Sequence, residues 1–91
     1  MYTQSVKLIF HIPYSHSLKE KRQVCRSLID RVRQKFNVSV AEVDTQDAHQ
    51  ILTIGIAVVS ESFTHGQNCL DKIVRYMETH TDAELTDVVE P

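Results

Sequence analysis

The residues with the clearest chemical meaning are the basic ones between positions 17 and 35. This segment holds seven of the ten lysines and arginines and only two acids, so its net charge is +5, whereas the rest of the chain carries −7. Lysine and arginine side chains are the groups that neutralise the phosphates of a nucleic acid. The sequence therefore predicts a phosphate-binding surface made of five cations: Lys19, Lys21, Arg22, Arg26 and Arg33.

A helix from residue 18 to about residue 36 is predicted to position these cations. Ser17 and Glu20 have the spacing of a capping box, which marks the start of a helix. Apolar residues then recur every three or four positions and form a single stripe. The stripe consists of Leu18, Cys25, Leu28, Ile29, Val32 and Phe36.

Four of the cations fall on one line along this helix, beside the apolar stripe. At about 100° per residue they lie within an arc of roughly 60°. They are Lys19, Arg22, Arg26 and Arg33. We expect the free amides at the helix start, together with Lys19, Lys21 and Arg22, to form an anion site that Arg26 and Arg33 continue. The alternative interpretation is a solvated charged face, which is what a run of charges usually means.

The remaining pattern predicts four strands and a second helix. Residues 3 to 12 alternate between apolar and polar, 38 to 43 and 84 to 89 are short strands, and 51 to 60 is nearly continuously apolar. Residues 62 to 79 form a second amphipathic helix, with Gly66 weakening its first turn. The order βαββαβ predicts one α+β domain over residues 1–91, a ferredoxin-like sandwich with a four-stranded antiparallel sheet and two helices on one face.

The open face of the predicted sheet lacks the aromatic residues on which RNA-recognition domains of this fold stack bases. It carries small and apolar residues, which favour coverage by a second copy of the chain. The residues of this possible oligomer face are Ile9, His11, Thr53, Gly55 and Ala57. The sequence thus predicts a homo-oligomer, with a partly apolar exposed sheet as the alternative.

No set of residues has the composition and spacing of a catalytic or metal site. The loop at residues 13 to 16 contains no glycine, unlike the phosphate loop of acylphosphatases, and the five histidines are scattered. Cys25 and Cys69 fall on or near the apolar stripes and are interpreted as packing residues. Glu42, Asp44 and Asp47 are interpreted as solvated loop charges. We therefore expect no catalytic residues, no metal and no cofactor.

The chain also shows no membrane span and no signal peptide. Its longest apolar stretches are far shorter than a bilayer-crossing helix, and its N-terminus lacks a basic start and a cleavage site. Two widely separated cysteines do not indicate a disulfide framework. These features predict a cytoplasmic protein with no membrane partner.

Several segments resemble the YlxP-like family of small bacterial proteins. They are SLKEKR at residues 17–22, RSLIDRVRQKFNVSVAEV at 26–43, the pair Gln46-Asp47, GIAVVS at 55–60 and LDKIVRYME at 70–78. The resemblance implies a ferredoxin-like fold, and its gene neighbours in translation initiation and ribosome maturation imply an RNA or ribosome context. His49 departs from the family pattern, which commonly has tryptophan there. Turn formation by Asp47 is the simplest role for the Gln46-Asp47 pair.

These observations lead to one main hypothesis and two alternatives. The main hypothesis is a non-catalytic cytoplasmic protein that binds RNA or the ribosome through the basic face of its first helix. The first alternative is a protein-interaction module or homo-oligomer whose basic helix docks on an acidic partner. The second is a regulatory domain that binds a small molecule, for which only the fold offers an analogy.

Overall fold

Six elements build the domain, and a computed structural model describes them over residues 1–90. In chain order they are β1 (Tyr2–His11), α1 (Leu18–Lys35), β2 (Ser39–Glu42), β3 (Ile51–Ser60), α2 (Phe63–Thr79) and β4 (Glu84–Val89). The strands form one antiparallel sheet in the order β2-β3-β1-β4. This order and the βαββαβ sequence of elements confirm the predicted ferredoxin-like α+β fold.

The two central strands, β1 and β3, set the register of the sheet. Their apolar residues face each other in pairs, Val6 with Ile56, Leu8 with Ile54, and Phe10 with Leu52. On the other side of β1, the pairing with β4 shifts register between Ile9 and Phe10. Because side chains alternate across a strand, this register sends one set of residues of β1 and β3 to the core and the other set to the open face.

The core lies between this inward face and the apolar stripes of both helices. Leu8, Phe10 and Ile12 are fully buried, as are Leu52 and Ile54. From α1 the stripe contributes Cys25, Leu28 and Val32, and from α2 it contributes Leu70, Ile73 and Met77. Burial of these side chains gives the domain its main stabilisation, since a large apolar side chain contributes about 1.5–3 kcal/mol when it leaves water.

Gly66 lies in the first turn of α2, where a glycine ordinarily weakens a helix. The helix nevertheless begins at Phe63, because the Ser62 hydroxyl accepts the backbone N–H of His65 and caps it. A Cβ at position 66 would overlap the side-chain amide of Gln4 and come within 2.7 Å of the Ser60 hydroxyl. Glycine at this position therefore permits α2 to approach the sheet closely.

Neither helix of residues 1–90 combines the length and the apolar character that a bilayer-crossing helix requires.

Candidate nucleic-acid interface

The start of α1 is fixed by the two residues of the predicted capping box. The Ser17 hydroxyl accepts the backbone N–H of Glu20 at 3.1 Å, and the Glu20 carboxylate accepts the backbone N–H of His16 at 2.8 Å. A carboxylate at this end of the helix stabilises the helix dipole. It also places a negative charge where the sequence predicted an anion site, so the helix start itself is a poor position for a phosphate.

Lys21 is buried in the domain and does not reach solvent. Its exposed fraction is 0%, and its ammonium group donates to three backbone carbonyls, those of Thr45 at 2.7 Å, Gln46 at 3.1 Å and Ile51 at 3.3 Å. The carbonyls of Thr45 and Gln46 belong to the segment that joins β2 to β3, and that of Ile51 belongs to the first residue of β3. The prediction that Lys21 binds phosphate is therefore wrong, because its charge is used inside the protein to hold this segment.

Glu42, at the end of β2, supplies the countercharge for Lys21. Its Oε2 lies 3.1 Å from the ammonium nitrogen, and its side chain is 20% exposed. Three carbonyls and this carboxylate therefore surround the ammonium of Lys21, and the carboxylate balances its charge. Glu42 is therefore not the solvated loop charge that the sequence predicted.

The remaining arginines of the predicted surface line a single groove between α1 and β2. Arg22, Arg26 and Arg33 contribute to its walls, and its volume is about 480 Å³. The other lining residues are Cys25, Ile29, Asp30, Ala41 and Glu42. We call this feature the arginine groove. β2 is one of the two edge strands of the sheet, so one wall of the groove is a strand with no neighbour on its outer side.

The guanidinium groups of the arginine groove have no acidic partner within salt-bridge distance. Among residues 1–90 the ion pairs are Lys7 with Asp44 at 2.8 Å, Lys21 with Glu42 at 3.1 Å, and His11 with Glu84 at 3.9 Å. Arg33 instead donates to the backbone carbonyl of Val40 at 3.1 Å, which fixes it against β2. The charges of Arg22 and Arg26 are therefore available to an external anion.

Lys19 is exposed, as the sequence predicted, but it does not line the arginine groove. It precedes Arg22 by three residues on α1, about 4.5 Å along the helix axis. Lys19 can therefore extend the basic surface beyond the groove toward the start of the helix.

The residues of the predicted oligomer face on the open side of the sheet differ in their exposure. Ile9, His11, Gly55 and Ala57 are half-buried. Thr53 is only 3% exposed, and its hydroxyl is hydrogen-bonded at 2.8 Å to the hydroxyl of Thr45. The prediction that Thr53 contacts another copy is wrong, because the segment between β2 and β3 already covers it.

That covering segment turns at Asp44, whose φ of 65° is in the left-handed region. Aspartate tolerates this conformation better than most residues. The Asp44 carboxylate pairs with Lys7 on the open face, and a backbone hydrogen bond from Ala48 to Thr45 closes the next turn. Gln46, Asp47 and His49 are exposed along this segment. The turn closed by this bond has Gln46 and Asp47 as its two central residues, so Asp47 lies in a turn as the sequence predicted, and Asp44 forms the bend that precedes it.

The two cysteines have different surroundings. Cys25 is buried in the core, and burial followed by the nearby Glu42 carboxylate raises the pKa of its thiol to about 11. This agrees with the predicted packing role. Cys69 is half-buried on α2, and its Sγ lies 3.6 Å from Nε2 of His65. No group of three or more histidine, cysteine, aspartate or glutamate side chains within residues 1–90 is arranged to hold a metal ion.

Comparison with known proteins agrees with the resemblance found in the sequence. A family model described as "Protein of unknown function (DUF503)" matches residues 3–89, which include both helices and all four strands except for the first residue of β1. The chain is also 39% identical over 70 residues to "Uncharacterized protein YlxP" of Bacillus subtilis (strain 168), a match that covers 77% of this chain and 76% of that protein. The chain therefore belongs to the DUF503 family.

Proposed function

We propose that this protein is a non-catalytic cytoplasmic protein that binds RNA phosphates through the arginine groove and Lys19, with ribosomal RNA as the first candidate partner. The observation that supports the proposal is the convergence of three arginines without acidic partners on one groove. A guanidinium group presents a planar fork of donors that matches a phosphate, and it remains charged at every physiological pH.

The energetics of α1 oppose three of these four cations, whereas Arg33, in the last turn, is favourable to the helix dipole. Lys19 lies in the first turn, where a positive charge opposes the helix dipole at a cost of about 0.3–1 kcal/mol. Arg22 and Arg26 are four residues apart, and like charges at this spacing destabilise a helix by about 0.2–0.5 kcal/mol. Cations at positions that weaken the helix can be explained if they bind an external anion.

The test is binding of the purified protein to single-stranded and ribosomal RNA across a salt series. If four cations each neutralise one phosphate, the logarithm of the binding constant falls with the logarithm of salt concentration with a slope of about −3. The double variant Arg22→Glu/Arg26→Glu should bind more weakly and flatten the slope to about −1. Binding that does not change with salt, or that survives in the double variant, would contradict the proposal.

Arg31 offers a matched control for a single reversal in the groove. It lies on the same helix but on the side that faces α2, where its guanidinium donates to the backbone carbonyl of His80. Arg31→Glu changes the net charge of the protein by the same amount as Arg26→Glu. We expect only Arg26→Glu to reduce RNA binding strongly, because the two differ in position and not in charge.

We also propose that the open sheet face binds a second copy of the chain. A shallow depression of about 340 Å³ on this face is lined by small side chains that would let another backbone approach. They are Ser5, Ser39, Ala41, Gly55 and Ala57. The mass in solution, measured by analytical ultracentrifugation at low and high salt, should be that of a dimer in both. A dimer that dissociates at high salt would instead indicate that the basic helix docks on an acidic surface of another copy, and a monomer would refute self-association.

A further inference from the structure

A second cationic feature lies on the opposite side of α1 from the arginine groove. It is a cleft of about 380 Å³ between the end of α1 and the face of α2. Its residues are Lys35, Phe36, Lys72, Arg75, Tyr76 and Thr79. We call it the aromatic cleft. Two aromatic rings and three cations line it, and none of the lining residues is acidic.

The aromatic rings of the cleft are held in fixed positions by their neighbours. The ring centroids of Phe36 and Tyr76 are 5.4 Å apart with an angle of 78° between the ring planes. Tyr76 also stacks on His80, with ring centroids 3.9 Å apart. Phe36 and Tyr76 are half-buried and pack against the core, so the rings form part of a preformed surface.

The cations of the cleft lack acidic partners within salt-bridge distance, as those of the arginine groove do. None of Lys35, Lys72 and Arg75 forms an ion pair in the part of the chain from residue 1 to residue 90. The ammonium of Lys35 lies over the Tyr76 ring, 4.8 Å from its centroid. A cation over an aromatic ring at a partly exposed site is weakly held. Lys35 can therefore leave the ring to meet a phosphate and free the ring for another planar group.

We propose that the aromatic cleft receives an unpaired base of the RNA whose phosphates occupy the arginine groove, which makes single-stranded RNA the preferred substrate. This inference rests on the proposed function. Stacking of a base on an aromatic side chain is a common source of affinity for single strands, and bases that are paired in a duplex are not available for it. Lysines beside the ring supply the charge that the adjoining phosphates need.

The position of the two features on α1 is compatible with one continuous strand. Arg33 of the groove and Lys35 of the cleft are both in the last turn of α1. Two residues rotate a helix by about 200°, so they lie on opposite sides of it, and a helix with its side chains is about 10 Å wide. A strand that crosses the end of α1 connects them within a few nucleotides.

The experiment compares binding of a single strand and of the corresponding duplex RNA by the protein and by its Tyr76→Leu variant at one salt concentration. Loss of the ring should weaken single-strand binding by about 5- to 150-fold and leave duplex binding and the salt slope unchanged. Tyr2→Leu is the matched control, because Tyr2 makes an edge contact with Phe63 in an exposed aromatic pair outside the cleft. It should bind both RNAs as the unmodified protein does.

A spectroscopic measurement covers the case in which Tyr76→Leu fails to fold. The chain has three tyrosines and no tryptophan. In the variant Tyr2→Phe/Tyr14→Phe the fluorescence therefore comes from Tyr76 alone, and a base that stacks on it should quench this signal. Equal affinity for single strand and duplex, or RNA binding without quenching, would overturn the inference and leave the proposed function intact. Failure to bind any RNA would overturn both.

Discussion

At the scale of single residues, Lys21 differs most from what its sequence context predicted. It belongs to a run of charged residues, yet its side chain is buried. A buried ammonium is costly unless hydrogen bonds and a countercharge replace its water. Here three carbonyls provide the hydrogen bonds and Glu42 the charge. Lys21 therefore connects α1 to the segment that covers the open face of the sheet.

We expect Lys21→Met to destabilise the protein by about 3–5 kcal/mol, since it leaves Glu42 without its partner and three carbonyls without a donor. Urea denaturation measures this change. Lys19→Met is the control, because Lys19 is exposed and its replacement should change the free energy of unfolding by about 0.5 kcal/mol or less. Equal stability of the two variants would contradict the role assigned to Lys21.

Because burial raises the pKa of the Cys25 thiol, we expect the protein to lose stability at alkaline pH. The native thiol has a pKa near 11, while in the unfolded chain it ionises near its ordinary value of about 8.5. The unfolded state therefore binds fewer protons above that pH, and the free energy of unfolding should fall as the pH rises from about 8.5 to 11. Denaturation midpoints over this range measure the effect, and a Cys25→Ala variant should show a shallower decline.

The sequence contained an indication that Lys21 is buried, although its charge pointed to an exposed position. It stands four residues before Cys25 and seven before Leu28, on the same buried stripe of α1. A cation at such a position predicts a buried partner. The partner atoms themselves were not predictable, because the carbonyls of Thr45, Gln46 and Ile51 are brought to one point by the path of the chain after Asp44, which no local sequence pattern indicates.

At the scale of elements, the order and bounds of the helices and strands followed from the sequence. Alternation predicted β1, three- and four-residue spacing predicted α1, and both agree with the structure to within a residue or so at each end. The arginine groove could be predicted only in part. The angular spacing placed Arg22, Arg26 and Arg33 on one line, but the opposite wall is the edge strand β2, whose position depends on tertiary packing.

The cap of α1 provides a prediction at this scale. Ser17→Ala removes the acceptor for the Glu20 amide and should lower the free energy of unfolding by about 1 kcal/mol. Ser27→Ala, at an exposed position inside the same helix, should be neutral or slightly stabilising, since alanine has the higher helix propensity. Thermal unfolding of both variants would distinguish them, and a Ser17→Ala variant as stable as the unmodified protein would rule out the cap.

At the scale of the whole molecule, the charge distribution matters more than the net charge of −2. The segment around α1 carries +5 and the rest of the chain −7, so the protein is strongly dipolar. We expect it to be retained on a cation-exchange column at pH 7 in low salt despite its negative net charge. The Arg22→Glu/Arg26→Glu variant should pass through. Passage of the unmodified protein would show that the basic face is too weak to bind a polyanion.

The strand order has a consequence for the kinetics of folding. β1 lies in the middle of the sheet, but both of its neighbours, β3 and β4, come much later in the chain. The helices and the β2–β3 hairpin can form from local contacts, whereas β1 pairs only with strands that are distant from it in the chain. Because non-local pairing closes long loops before it gains any contacts, it slows folding. The first strand of the domain is thus among the last to acquire both of its partners.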